Sequence, residues 1–436
     1  MLGRKVKKKV WNLPKSATTG WICFIGLISF MISLYFIRIY NISNSSGAVL
    51  SGMALVIPII LFEMLKLKTY KRSSTGLDFR SKNKPDFERV VIKLIGLYAT
   101  LALISFFYWI FPEYRGNIYT PYWLLAKNLL KVIAIGAIPY FFILDKYLVE
   151  PREAYWKAGM IVLGRGKEIS YDGLKNYFLG WLVKAFFLPL MYVALCGNVG
   201  VIKQSPLYSV LDQLSFPRFF DYMYNYIYTI DLAFVFVGYL LTLRIFDSHI
   251  RTVEPSFLGW YVALQCYQPF WGALSGNYFA YDDGYSWGQW LINNHNLFIF
   301  WGCLILLLIS VYSWASIYFG IRFSNLTNRG ILTNGPYRFL KHPAYISKNL
   351  SWWLISIPFV SQQGFIPGLK NCLLLLAVNF LYYLRARTEE RHLSQDPVYV
   401  QYATAMNERG IFKKLYKIFP FLRYNPDNAA NAFKIN

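Results

Sequence analysis

Two polar clusters in the C-terminal third of the chain carry side chains from which a ligand pocket can be built. Arg329, Gly330, Ile331 and Leu332 open the first, Gly335-Pro336 turns it, and Tyr337, His342, Pro343 and Tyr345 follow. The second cluster closes a long apolar run with Arg385, Arg387, Glu389, Glu390, Arg391 and His392. Carboxylates suit hydroxyl or ammonium donors, and the faces of Tyr337 and Tyr345 suit a flat ring or a cationic centre. Pro343 fits the first turn of a helix, where its missing N–H would be unpaired anyway. The free N–H groups of that turn can receive an anionic group. His342, Tyr345 and Asn349 recur at spacings of three and four, so they share one helix face. The cysteines (Cys23, Cys196, Cys266, Cys303, Cys372) stand singly, without metal-ligand spacing, so neither a metal site nor a disulfide framework is expected.

The elements that must position these clusters are membrane helices. Of 436 residues 56% are hydrophobic, 19% aromatic and only 15% charged, which points to an all-α, polytopic integral membrane protein. Apolar runs place spans at about 19–40, 48–65, 94–112, 121–144, 176–197, 223–246, 256–279 and 296–320, and then a hairpin at about 344–360 and 369–384. That makes about ten transmembrane helices. The seventh run is interrupted by Pro269 and several glycines, and is read as kinked or re-entrant. The hairpin brings Glu389 back to the side on which His342 lies. The net charge is +23, but the basic residues lie in loops, which argues for cytoplasmic loop bias rather than nucleic-acid binding. The basic arm 1–18 and the loops 66–93 and 145–175 are placed inside, with both termini cytoplasmic. A bacterial inner membrane and the endoplasmic reticulum both fit. The chain divides into a multi-span region, 1–295, and a C-terminal core, 296–436.

The ordered set Gly335, Tyr337, His342-Pro343 and Tyr345, then a hairpin, then Arg385, Glu389, Glu390 and Leu393, then Tyr399 and Tyr402, resembles a known signature. It is that of the integral-membrane methyltransferases related to isoprenylcysteine carboxyl methyltransferase and the phospholipid methyltransferases. The resemblance implies S-adenosylmethionine as the cofactor. It carries that ligand onto Arg329, Gly330, Ile331, Leu332, Tyr337, His342, Pro343, Tyr345, Asn349, Glu389 and Glu390, with Arg385 and Glu389 at the catalytic position. It implies methyl transfer to a membrane lipid or lipid-linked acceptor at the cytoplasmic surface. Such a displacement asks mainly for alignment of donor and acceptor, worth roughly 7–11 kcal/mol of barrier. The chain departs from the pattern at Ser347-Lys348, where relatives often have a glycine, and at Asp396-Pro397. The alternatives are an NADPH-dependent membrane reductase of the sterol-reductase-like class and a non-enzymatic transporter or scaffold. Elsewhere, Asp247, His249, Arg251 and Glu254 read as a head-group site or a salt-bridged loop. Asp231, inside a span, reads as a buried pair or polar cavity. Asp282 and Asp283 read as a solvated loop, and Leu393, Tyr399 and Tyr402 as packing residues.

Overall fold

The computed structural model describes residues 12–81, 84–205 and 215–426. The basic arm before Asn12 lies outside the described residues. The helices in order are α1 (Gly20–Ile39), α2 (Asn44–Leu65), α3 (Phe87–Ile110), α4 (Thr120–Tyr147), α5 (Ala154–Val162), α6 (Leu174–Gln204) and α7 (Phe216–Leu240). There follow α8 (Phe257–Leu264), α9 (Phe270–Asn277), α10 (Trp287–Leu291), α11 (His295–Phe319), α12 (Pro343–Ser356), α13 (Phe365–Leu393) and α14 (Pro397–Arg409). Seven of them, α1 to α4, α6, α11 and α13, are long and apolar enough to cross a membrane. The chain is an all-α polytopic membrane protein. Among the described residues its one sheet is a two-residue antiparallel ladder, β1 (Thr252–Val253) against β2 (Thr327–Asn328), which pairs Thr252 with Asn328.

Three of the expected spans take other forms. The run at 223–246 begins earlier, as α7, because Pro217 favours the first turn and the helix ends at Leu240 before the polar loop. The run at 256–279 is two short helices broken around Pro269. It starts where Glu254 meets Arg391 at one end of α13 (3.1 Å) and finishes where Asp283 accepts from Ser361 at the hairpin tip (2.7 Å). It therefore runs the length of the bundle as a broken path. The first hairpin helix, α12, has 14 residues, about 21 Å, shorter than a hydrocarbon core of about 30 Å. It stops at Ile357, whose φ of 37° leaves the helical region. The partner α13 has 29 residues and reaches the far side.

Between α1 and α2 the approach is close: a methyl on Gly26 would stand 2.7 Å from the Leu55 carbonyl oxygen. Phe30, Leu55, Tyr192 and Phe236 join these helices to α6 and α7 in one apolar core. The polar loop 145–175 contains α5, which crosses α3 at Gly159 and Gly96. A methyl on Gly96 would stand 2.2 Å from the Tyr155 carbonyl oxygen. Larger residues at this crossing would force α3 and α5 apart.

Several ties bind the N-terminal bundle to the C-terminal core. Glu63 of α2 and Arg322 beyond α11 form a buried bidentate pair at 2.7 and 2.9 Å. Residues 14–18 form a strap across the loop 331–334. The Ala17 N–H donates to the Ile331 carbonyl (2.9 Å), the Thr333 hydroxyl to the Pro14 carbonyl (2.7 Å), and the Asn334 amide to the Thr18 carbonyl (2.9 Å). Helix α14 closes the same loop from the other side, packing Tyr399, Tyr402 and Met406 on Ile331, Leu332 and Tyr337.

Candidate functional site

A pocket opens between α8, α11, α12 and the end of α13. Its charged end is built by residues far apart in sequence. Tyr345, on the first turn of α12, donates its hydroxyl to Glu389 of α13 at 2.7 Å. The Arg385 guanidinium lies over the Tyr345 ring, 5.0 Å from its centroid, and donates to Asn325 Oδ1 at 2.7 Å. Asn325 is fixed in turn by the hydroxyls of Tyr239 (2.8 Å) and Tyr267 (3.0 Å). His392 bonds Thr252 of β1 at 2.9 Å, which ties the last turn of α13 to the ladder. All but Tyr239 and Thr252 line the pocket, with Glu254, Tyr337, Lys341, His342 and Pro343.

Glu254 carries an informative gap. Its Oε1 accepts from the Ser256 N–H (2.9 Å) and from Arg391 (3.1 Å). Its Oε2 is buried and has no hydrogen-bond partner among the described residues. A buried carboxylate oxygen left unpaired costs on the order of 1–3 kcal/mol. Near it the pocket offers cations (Arg385, Lys341), carboxylates (Glu389, Glu254) and aromatic faces (Tyr267, Tyr345, Tyr382). That set suits a ligand combining a carboxylate, an ammonium, a cationic centre and a flat base.

Glu390 turns to the other side of the α12–α13 wall, and His342 stands at the boundary between the two sides. His342 holds the N-terminal position of α12 without capping it. Its ring stacks on Tyr345 at 5.5 Å, and its Nε2 meets Glu390 at 3.2 Å. Glu390 also takes Lys341 (2.7 Å) and Arg387 (2.6 Å), so one buried carboxylate gathers three basic groups. Burial pulls the Lys341 ammonium below its usual range, and Glu390 opposes that pull. This cluster borders a second, more open depression, whose other wall includes Phe412, Leu415 and Tyr416.

Of the residues expected to hold the ligand, Tyr337, His342, Pro343, Tyr345, Arg385 and Glu389 converge on the first pocket. Six others lie elsewhere. Arg329 is buried below it, and its guanidinium donates to the carbonyls of Ser248, Gly238 (2.6 Å), Leu241 (2.7 Å), Phe323 (2.7 Å) and Ile321 (3.0 Å). Gly330 sits under the strap, where a methyl would meet Ala17 at 2.7 Å. Ile331 and Leu332 are in the apolar core under α14. Asn349 shares the helix face with Tyr345 but accepts from Asn379 at 2.6 Å and borders the second depression. Glu390, as described, faces that depression too. Tyr399 and Tyr402 are packing residues, Tyr402 donating to the Tyr337 carbonyl at 2.7 Å.

Asn325, Tyr267 and Thr388 are not visible in the sequence as site residues. Tyr267 stands beside the interrupting Pro269, and a polar residue at a break in an apolar run is the signal it offers. Asp247 proves to be the centre of a salt-bridged loop, meeting Arg72 (3.1 Å), Arg251 (3.2 Å) and the Ser74 hydroxyl (2.8 Å). Burial pushes its carboxyl up, but Arg322, Ser74, Arg251 and Arg72 together hold it below the ordinary range. His249 beside it is pulled down to about 3 by burial and by Arg244, with Asp247 opposing.

Comparison with known families meets the same segment. Residues 297–395 match the model of the isoprenylcysteine carboxyl methyltransferase (ICMT) family, so the part of the chain holding α11, both polar clusters and the hairpin is related to those membrane methyltransferases. No curated protein and no solved structure matches the chain.

Proposed function

We propose that the chain is an S-adenosylmethionine-dependent methyltransferase that acts on a lipid or lipid-linked acceptor at the cytoplasmic membrane surface. The observation that carries this reading is the Tyr345–Glu389–Arg385 arrangement in the pocket, inside the segment related to that family. The bound cofactor supplies an activated methyl group on a sulfonium. Glu389 and Glu254 accept from its hydroxyl or ammonium groups, Arg385 offers N–H groups to its carboxylate, and Tyr345 and Tyr382 face its cationic centre. Tyr239, Tyr267 and Asn325 keep Arg385 in one orientation, so the site is ordered before the ligand arrives. The protein's contribution to rate is alignment and exclusion of water, both of which a pocket walled by helices provides.

Purified protein in a non-ionic detergent, titrated by calorimetry with S-adenosylmethionine and separately with NADPH, tests this. Binding of the first alone is expected; binding of NADPH alone would overturn the reading in favour of reduction. Membranes incubated with a radiolabelled methyl donor should then yield a labelled lipid extract, and His342→Ala should reduce the label.

A further inference from the structure

The inner end of the pocket holds a charge that the family signature does not account for. Lys348 lies more than one turn into α12, and Tyr382, which faces it, is about two turns of α13 before Glu389. Both therefore sit deeper in the bilayer than the charged mouth. The Lys348 ammonium is surrounded by rings: 5.3 Å from the centroid of Tyr312, 5.4 Å from Trp352 and 5.9 Å from Tyr382. Among the described residues it makes no ion pair within 4.0 Å and no hydrogen bond. It lines the pocket.

A carboxylate stands behind this cage. Asp231 of α7, 4% exposed, accepts from the Tyr312 hydroxyl at 2.7 Å, with Ser316 beside it. A charged amine at this depth is costly unless something pairs with it. The rings supply part of that compensation, and among the described residues the ammonium donates no hydrogen bond. An oxyanion brings both the lone pairs and the negative charge that this amine can use, and the opening through which it arrives is the pocket.

We propose that Lys348 is a specificity-determining residue that holds an oxyanion of the acceptor, a carboxylate or a phosphate, at the inner end of the pocket. This rests on reading the pocket as the methyl-transfer site. It follows that uncharged and cationic heads are disfavoured, because they leave the donors unpaired or place like charges together. A charge-assisted hydrogen bond of this kind is worth roughly a tenfold or greater preference.

The test uses full-length protein in a non-ionic detergent with saturating S-adenosylhomocysteine. Calorimetry compares four probes with the same chain: dodecanoate, dodecyl phosphate, dodecanol and dodecyltrimethylammonium. At least one anionic probe should bind roughly tenfold or more tightly than the other two, and whichever anion binds better identifies the oxyanion. Lys348→Met should erase the preference while Lys348→Arg keeps it; Lys348→Gln replaces the methionine variant if that one does not fold. Equal binding of all four probes by the unaltered protein overturns the proposal. So does a preference that survives in a Lys348→Met or Lys348→Gln protein with unchanged melting. Absence of S-adenosylhomocysteine binding would count against the methyltransferase reading instead, and the probe ranking would still decide the role of Lys348.

Discussion

Glu389 and Glu390 are neighbours in sequence and do different work, because successive helical positions point about 100° apart. Glu389 faces the pocket and takes one hydrogen bond from Tyr345, so Glu389→Gln should weaken S-adenosylmethionine binding roughly tenfold with little change in melting temperature. Glu390 is 4% exposed among three basic groups, and Glu390→Gln leaves buried cations without their partner. A loss of about 3 kcal/mol of stability is expected, read as a lower melting temperature in detergent. In the sequence both carboxylates stand together, as the polar end of a long apolar run matching the family motif, and their two roles cannot be separated there. Arg329 shows the limit more sharply: a charged residue opening a polar loop reads as a ligand contact, yet its donors are spent on carbonyls that the fold leaves unpaired where α7 ends. Which acceptors a guanidinium finds depends on chain segments far away in sequence, and no local pattern encodes that. His249 gives a pH test at the same scale. Its imidazole is held neutral down to about 3 against an ordinary 6.5, so the unfolded chain binds the extra proton between those values. Stability contributed by the neutral ring is complete above 6.5 and falls as pH drops, by about 1.4 kcal/mol per unit. Melting temperature should decline from pH 6.5 toward 5, and His249→Gln should flatten that decline.

The elements were legible where hydrophobicity and length agree and obscure where tertiary contacts decide. Spans such as α1, α2 and α11 follow directly from apolar runs bounded by polar residues. Helix α5 did not, because a nine-residue helix in a basic loop exists through its glycine crossing with α3, which periodicity cannot show. The division of 256–279 was visible as Pro269, although its path along α13 was not. The tie between α2 and the end of α11 offers an element-scale test. Glu63 and Arg322 are both buried, so Glu63→Gln alone strands a guanidinium in an apolar setting and should cost about 3–5 kcal/mol. The double substitution Glu63→Met with Arg322→Met removes both charges, and the melting temperature should recover most of the loss. No recovery would mean that Arg322 matters chiefly through its bonds to the carbonyls of Asp247 and Phe246.

At the scale of the molecule, the arrangement depends on the hairpin and the broken path α8–α9 both connecting the two ends of the bundle. The pocket end carries Glu254, Arg391 and the loop 329–337, while the opposite end carries Asp283, Ser361 and the start of α13. Residue burial alone does not orient these ends, and the charge offers the test. The loop 66–81, rich in lysine and arginine, lies at the pocket end through Arg72–Asp247 and through the Arg244 guanidinium on the Thr75 carbonyl. The basic loop 148–173 joins it through the Leu77–Leu148 bridge and the Val149 N–H on the Gly76 carbonyl (3.1 Å). Basic loops favour the cytoplasm, so a ligand made in the cytoplasm would reach the mouth without crossing lipid. Single cysteines in a cysteine-free background provide the measurement. Asp282→Cys and Gln363→Cys, both exposed, should react with a membrane-impermeant maleimide added outside sealed cells. Lys413→Cys, exposed beyond α14, should react only after the membrane is permeabilised. Labelling of all three from one side would remove the crossing by α12 and α13, and with it the reason that His342 and Glu389 share a pocket. Labelling of Lys413→Cys alone from outside would invert the molecule and set the mouth away from the cytoplasmic supply of methyl donor.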